Sequence, residues 1–570
     1  MTTLHPSLAH HDWWRSAVVY QIYPRSFADA NNDGTGDIAG MIAHLDHLAG
    51  LGVDAVWVSP WYPSPLHDGG YDVADYCDIK PEFGTLAQAD EFIARAHELG
   101  IRVVIDLVPN HCSIDHPLFQ AALAAGPGSP ERDLFIFREG RGPDGSQPPT
   151  NWGAHFGGPA WHRVTEADGT PGQWYLHLFA PEQPDFNWEN PAVTDFFDDV
   201  LRFWFDRGVD GFRIDVADSM FKDQTFPDIP LDPKTGLGTL EKYEGSPFWD
   251  RPAMADHQRH WRAVADEYAD TDLGPRVFVS EAYLPGPRRK HYVAEGRLHT
   301  SFNFEFLESA WTAPSLRTVI TQSIAEHDEV GAPTTWVLNN HDNYRSPSRF
   351  GRHPSGMDFS VTPDEDLEPG QAPHWADAMV AAPLDLDLGL RRARAAALLM
   401  LALPGGAYVY QGEELGLEEV EDLPEHLLQD PIWERSGHTE RGRDGCRVPI
   451  PWSGTHQPFG FGQSAEPWLP QPAHWAGLSV EAQTGRDGSM LELYRSLLAE
   501  RRANPALGAG SITWDESSAD VLSFTRDPGF RCVVNFGAEP VAVEGEPIIA
   551  SQPLVDGLLP SDAAVWLRTA

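Results

Sequence analysis

Four short segments place ionisable side chains where apolar runs end. IRVVIDLVPNH carries Asp106, Asn110 and His111, and GFRIDV carries Arg213 and Asp215. RVFVSEAY carries Glu281, and TTWVLNNHD carries His341 and Asp342. Side chains of a strand alternate between its faces, so Arg213 and Asp215 point the same way. A guanidinium beside a carboxylate lowers its pKa, and an ionised, positioned carboxylate suits a nucleophile. Val277, Val279 and Glu281 also share one side. A carboxyl set above two apolar layers suits a general acid. Two carboxyls in contrasting environments are what cleavage of a glycosidic bond needs: one attacks the anomeric carbon while the other protonates the leaving oxygen. Asp342 adds a third acid, suited to sugar hydroxyls near the reacting carbon, with His111 and His341 as further hydroxyl partners. A single strand-end acid is more often a cap or a turn residue. Four such ends together outweigh that explanation.

Those ends need strands to carry them. Short apolar runs fall at Ala17–Tyr23, Asp54–Pro60, Ile101–Pro109, Val209–Asp215, Arg276–Glu281, Ser301–Phe306, Thr334–Asn339 and Gly406–Gln411. Most are apolar throughout, as strands covered on both faces should be. Helical stretches such as Thr85–Leu99, Thr194–Arg207 and Leu390–Leu403 lie between them. Alternating β and α units imply a parallel sheet, and eight of them an α/β fold closed as a (β/α)8 TIM barrel. The barrel is expected over 12–110 and 190–504, with a small inserted domain after the third strand at 111–189. A second long insertion, 343–382, follows the seventh strand, and a β-sandwich-like domain closes the chain at 505–570. Both insertions would rise from the C-terminal ends of the strands, where barrel enzymes build their sites.

After the first strand, DANNDGTGD sets oxygen donors at alternate positions: Asp29, Asn31, Asp33, the Thr35 carbonyl and Asp37. The spacing is that of an EF-hand loop through its ninth position. Gly40 stands where an EF-hand has its bidentate Glu, and a strand precedes the loop. A structural cation site that takes Ca2+ fits better than an EF-hand; a metal-free loop of Asx turns is the plainer alternative.

The chain has 570 residues and a formal net charge of −43. So acidic a surface excludes nucleic acid and anionic membranes as partners. The N-terminus lacks the basic and apolar regions of a secretory signal. The apolar run at Ala395–Leu403 is too short to span a bilayer. Four scattered cysteines suit reduced thiols, so a cytoplasmic protein is expected, as a monomer or small homo-oligomer. No organic cofactor is called for.

DLVPNH, GFRIDVAD, VSEA and NNHD resemble the four signature segments of the α-amylase superfamily, glycoside hydrolase family 13. QPDFNW resembles the fifth segment of its oligo-1,6-glucosidase and α-glucosidase branch, which more often reads QPDLNW. GYDVADY, NWGAHFGG, YLHLF and GRDGCRVPIPW are similar to the same branch. The resemblance runs from about Asp12 to the C-terminus. It implies Asp215 as nucleophile, Glu281 as acid/base and Asp342 as transition-state stabiliser. It also implies Asp72, His111, Arg213 and His341 around a non-reducing glucose, Tyr71, Phe156 and Phe179 as walls, and Arg443 reaching in. The DANNDGTGD loop is similar to that branch's Ca2+ loop. The implied activity is retaining, exo-acting hydrolysis of short α-glucosides of the maltose, isomaltose or sucrose type. Val216 after the nucleophile resembles members preferring α-1,6 linkages, although Ala217-Asp218 departs from their usual run. Transglucosylation or isomerisation would use the same acids. A non-catalytic, transporter-associated relative would lack the acids and carry a membrane segment, which this chain does not match.

Overall fold

A computed structural model describes residues 5–166, 168–361, 375–463 and 466–569. Its centre is one sheet of eight parallel strands. We label them β1 (Val18–Ile22), β2 (Ala55–Val58), β3 (Arg102–Leu107), β4 (Gly211–Ile214), β5 (Val277–Ser280), β6 (Thr300–Ser301), β7 (Thr335–Val337) and β8 (Gly406–Tyr410). Each lies within one of the eight apolar runs or overlaps it. The ladder runs β7-β8-β1-β2-β3-β4-β5-β6. The Thr335 hydroxyl bonds the Ser301 carbonyl across the remaining gap between β7 and β6. The sheet is a barrel closed by backbone ladders on seven sides and by a side chain on the eighth.

The sequence run at Ser301–Phe306 is strand only at its start. Asn303 caps a short helix, Phe304–Glu308, by accepting from the Phe306 N–H. A local cap captures the backbone there before a longer strand can pair.

The period of two holds inside the barrel. Val19, Ala55, Trp57, Val104, Val279, Val337 and Tyr408 fill its interior as one cluster. The other strand faces meet the outer helices, including Leu86–Glu98, Pro191–Asp206 and Leu386–Ala402. Burying apolar area at about 25 cal/mol per Å² is what holds these layers together.

Between β3 and β4 lies a three-stranded antiparallel sheet of Phe137–Arg138, Pro171–Leu176 and Trp161–Thr165. An extended segment from Asp215 to Pro252, after β4, packs against it. Trp152 pairs with Gly238, and the Asn151 side chain bonds Ile229 in both directions. Sequence patterning had not singled out this second long loop. Of the 343–382 insertion, helices Ser346–Phe350 and Trp375–Ala381 are described, and 362–374 lie outside the described residues.

A five-stranded antiparallel sheet and a two-stranded one form the C-terminal part. One face of the larger sheet lies on helix Leu386–Ala402: Trp566 Nε1 donates to Leu398 O at 3.0 Å and Arg526 Nη1 to Ala402 O at 2.9 Å. The apolar run at Ala395–Leu403 is therefore buried between barrel and sheet. No helix among the described residues is long and apolar enough to cross a membrane.

Candidate active site

β3, β4 and β5 are neighbours, and their C-terminal ends gather the central charges. The register sets Asp106 beside Arg213, and Arg213 beside Val279. Arg213 is 2% exposed. Its Nη1 donates to Asp106 Oδ1 and Asp215 Oδ1, both at 2.7 Å, and its Nη2 lies 2.7 Å from Glu281 Oε2. One guanidinium thus serves three carboxyls. Trp57 Nε1 and Tyr71 OH donate to the second oxygen of Asp106, at 2.8 and 3.2 Å. Asp106 is fully engaged and anchors Arg213; burial pushes its carboxyl up to about 6 against the pull of Arg213.

Asp215 corrects the sequence expectation of a lowered pKa. Burial pushes its carboxyl well above the usual range, Arg213 opposes, and Glu281 and Asp106 push the same way as burial. A guanidinium shared three ways does not hold Asp215 low. The next residue, Val216, has φ of 44°. Positive φ is a strained choice for a β-branched residue. It aims the Val216 N–H at Glu281 Oε2, 3.1 Å away, and the Ala217 N–H bonds Glu281 O at 2.8 Å. The strained turn locks the loop after Asp215 onto Glu281.

Asp342 follows β7 and faces the same space. Arg443 Nη1 and Arg447 Nη2 each donate to its Oδ1 at 3.0 Å, and His341 Nε2 lies 3.3 Å from Oδ2. Burial alone would raise Asp342; His341, Arg443 and Arg447 outweigh it and hold the carboxyl well below the usual range. His341 itself is pushed down to about 3 by burial. Its ring stacks on Tyr71 with centroids 5.2 Å apart. His111, also pushed down by burial to about 4, takes a bond from Gln183 at 3.1 Å and packs against Phe179. Phe179 and Phe156 meet edge to face at 6.1 Å. The Arg443 guanidinium lies 5.2 Å over Phe156.

Asp72 is not in the site. Its oxygens are taken by Ser64 Oγ at 2.7 Å, His67 N at 2.9 Å and Asp68 N at 3.2 Å, and the residue is fully buried. It builds the loop. Asp68 reaches the site in its place, accepting from Arg443 Nη2 at 2.7 Å and Gln183 Nε2 at 3.0 Å. Gly69 and Gly70 follow at φ of 58° and 112°. Those two glycines turn the chain, so strand alternation does not carry across them. The Gly-Gly pair was the signal that could have pointed to Asp68. Lys222 was missed as well. Its buried ammonium bonds Asn110 Oδ1 at 2.6 Å and Ser219 O at 2.5 Å, and lies 2.8 Å from Asp185 Oδ2. A cation in that oxygen cage fixes the segment that carries His111.

The loop after β1 is folded on its own Asx turns. Asp29 accepts from the Asn32 and Gly34 N–H groups at 2.6 and 2.9 Å, Asp33 from Thr35 N at 2.8 Å, and Asn31 from Asp33 N at 2.9 Å. Asp37 accepts from Ala30, Asn31 and Gly40. Among the described residues no three His, Cys, Asp or Glu side chains converge as a metal site. A cation here would have to draw on Asn31 and the Thr35 carbonyl, since Asp29, Asp33 and Asp37 do not converge by themselves. Burial pushes Asp29 up despite its two backbone bonds, a cost that a cation would relieve.

Residues 21–359 and 384–510 match the family model of the α-amylase catalytic domain. The chain is 37% identical over 555 residues to a probable α-glucosidase of Rhizobium meliloti, covering 95% of this chain and 92% of that one. It is 33% identical over 554 residues to an oligo-1,6-glucosidase of Parageobacillus thermoglucosidasius, covering 91% and 88%. Among solved structures, an α-glucosyl transfer enzyme aligns with a TM-score of 0.81 at 34% identity, covering 98% of this chain and 99% of that one.

Proposed function

Since the chain belongs to the α-amylase family, glycoside hydrolase family 13, and is a glycoside hydrolase, we propose that it is a retaining, exo-acting α-glucosidase on short α-glucosides. Maltose- and isomaltose-type oligosaccharides are its substrates in this reading, and sucrose a further one. The observation that carries it is Arg213, which joins the Asp215 and Glu281 carboxyls through one guanidinium.

Asp215 attacks the anomeric carbon while Glu281 gives its proton to the leaving oxygen. The bond to the leaving sugar breaks as the glucosyl–Asp215 ester forms. Glu281, now a carboxylate, takes a proton from water, and that water's oxygen displaces Asp215. Retaining enzymes hold such a pair about 5–5.5 Å apart. Attack needs Asp215 ionised, the form that the Arg213 guanidinium favours. Asp342, with Asp68, Arg443, His111 and His341, holds the hydroxyls of the terminal glucose. Asp215→Asn should lower kcat by about 10⁴-fold or more with the fold intact by circular dichroism. A slow fluorinated glucosyl substrate should label Asp215 in peptide mapping; a label on another residue would sink the assignment.

Transglucosylation is the second reading, favoured by the similarity to an α-glucosyl transfer enzyme. A sugar would then replace water in the second step, with the same residues acting. Initial rates and identified products on maltose, isomaltose, sucrose and trehalose separate the two and fix the linkage.

We also keep Ca2+ as a structural ion of the Asp29–Asp37 loop. The loop clasps a distant segment: Asp29 N donates to Phe461 O at 2.7 Å and Gln463 N to Asn32 Oδ1 at 2.5 Å. A chelator should lower Tm by several degrees and Ca2+ should restore it. An unchanged Tm with no metal found by elemental analysis would remove the ion from the account. Four free thiols support a reducing, cytoplasmic setting.

A further inference from the structure

A line of rings leaves the glucose pocket and passes Glu281. Phe179, against His111, stacks on His155 with centroids 4.6 Å apart. His155 meets the edge of Trp249 at 5.3 Å. The Lys242 ammonium lies 4.3 Å over Trp249 and 5.8 Å from the ring of Tyr283. Tyr283, two residues past Glu281, stacks on Phe304 with centroids 3.5 Å apart. The line joins the segment between β3 and β4, the loop after β4 and the ends of β5 and β6. It therefore runs past Glu281, which Tyr283 follows by two residues.

Tyr283 is 38% exposed, and its hydroxyl is pushed up first by burial, then by Glu281, Glu308 and Asp342, with Arg213 opposing. A ring that is wet yet within the field of the catalytic charges is a cleft wall. Ring faces of this kind pair with the apolar faces of sugars. Lys242 bonds Asp218 Oδ2 at 2.5 Å, which leaves two of its three N–H donors for other acceptors.

The charges around this space are unequal. Arg213 is shared by Asp106, Asp215 and Glu281. Arg443 is shared by Asp68, Asp342 and Asp430. Lys242 is matched by Asp218, and Glu308 adds a further acid. With Arg447, which also bonds Asp342, four cations face these eight acids, and each of the four already has a carboxylate. A dianionic phosphate would meet this surplus of acids, and the one ammonium with free donors, Lys242, already has its charge matched by Asp218.

Resting on the α-glucosidase reading, we infer that Tyr283 and Lys242 form the subsite for the leaving or accepting sugar, and that this subsite takes an uncharged sugar and rejects a phosphorylated one. The step at stake is transfer of the glucosyl group from the Asp215 ester to an acceptor hydroxyl, whose proton passes to Glu281.

The test uses 4-nitrophenyl α-glucoside as donor, with glucose or glucose 6-phosphate as acceptor and the disaccharide products weighed by mass spectrometry. Glucose should give at least roughly tenfold more transfer product than glucose 6-phosphate. Equal yields, zero included, would overturn the inference. Tyr283→Ala and Lys242→Met should each lose at least about tenfold more kcat/KM on maltose than on the aryl glucoside. Equal losses on the two substrates would also overturn it, with circular dichroism confirming that the variants fold. Release of 4-nitrophenol by the wild type checks the underlying reading separately: no release would sink the glucosidase and not the subsite.

Discussion

At the scale of single residues, the sequence motifs point to side chains that the fold brings together. Arg213, Asp215, Glu281, His111, His341 and Asp342 come together from strand ends, and Arg443 reaches them from the segment after β8. Alternation along a strand is rigid, so Asp215 and Glu281 could be aimed from sequence. Asp72 could not, because it lies in a loop where Gly69 and Gly70 reset the direction of the chain. The exchange of Asp72 for Asp68 is testable. Asp68→Asn should lower kcat/KM for maltose roughly tenfold or more, because it removes a charged partner of Arg443. Asp72→Asn should act on thermal stability first, because its carboxyl organises a buried loop. Steady-state kinetics beside melting curves separates the two; kinetic loss confined to Asp72→Asn would reverse the assignment. The electrostatics of Asp215 were also out of reach, since the competition between burial and one shared guanidinium depends on the count of acids around it.

At the scale of elements, all eight strands were legible because a strand covered on both faces is apolar throughout. β6 was overestimated, because one Asn303 cap outweighed an apolar run. The loop from Asp215 to Pro252 was missed because its order comes from contacts with a segment far away in sequence. Just after β8, Glu413 and Glu419 are buried and pushed up to about 7 and 8. Burial is the first cause for both, and for Glu419 the bond from Arg345 N opposes it. The sign follows from linkage. A carboxyl whose folded pKa is raised favours the fold fully below its unfolded value of about 4.3, and that contribution is lost as pH rises through the folded value. Stability should therefore fall between about pH 5 and 8 through these groups. Glu419→Gln should flatten that decline in a Tm-against-pH series. An identical slope in the variant would refute this source.

At the scale of the whole molecule, the C-terminal sheet continues the barrel's packing. Leu522, Phe524, Phe530 and Trp566 share one apolar core with the barrel's outer helices. The buried residues of helix Leu386–Ala402 depend on that cover, and the helix is tied to it by Arg394 Nε to Ser551 O and Arg392 Nε to Asp562 Oδ1, at 2.9 and 2.8 Å. Removal of 505–570 should yield insoluble protein, and the intact chain should melt in one calorimetric transition. Two resolved transitions, or a soluble and active truncation, would show the parts to be independent. The composition change after about Asn504 marked where this sheet begins. It could not indicate that the sheet shares a core with a helix a hundred residues earlier.

The side-chain closure between β6 and β7 gives the barrel a clasp. Glu281 follows β5, on one side of that clasp, and Asp342 follows β7, on the other. The continuous backbone route between these two acids runs the long way round the ring, through β8, β1, β2, β3 and β4. A split ring widens at its split when it is strained. Thr335 and Ser301 thus sit at the one joint where the third acid can draw away from the pair without any backbone rung giving way.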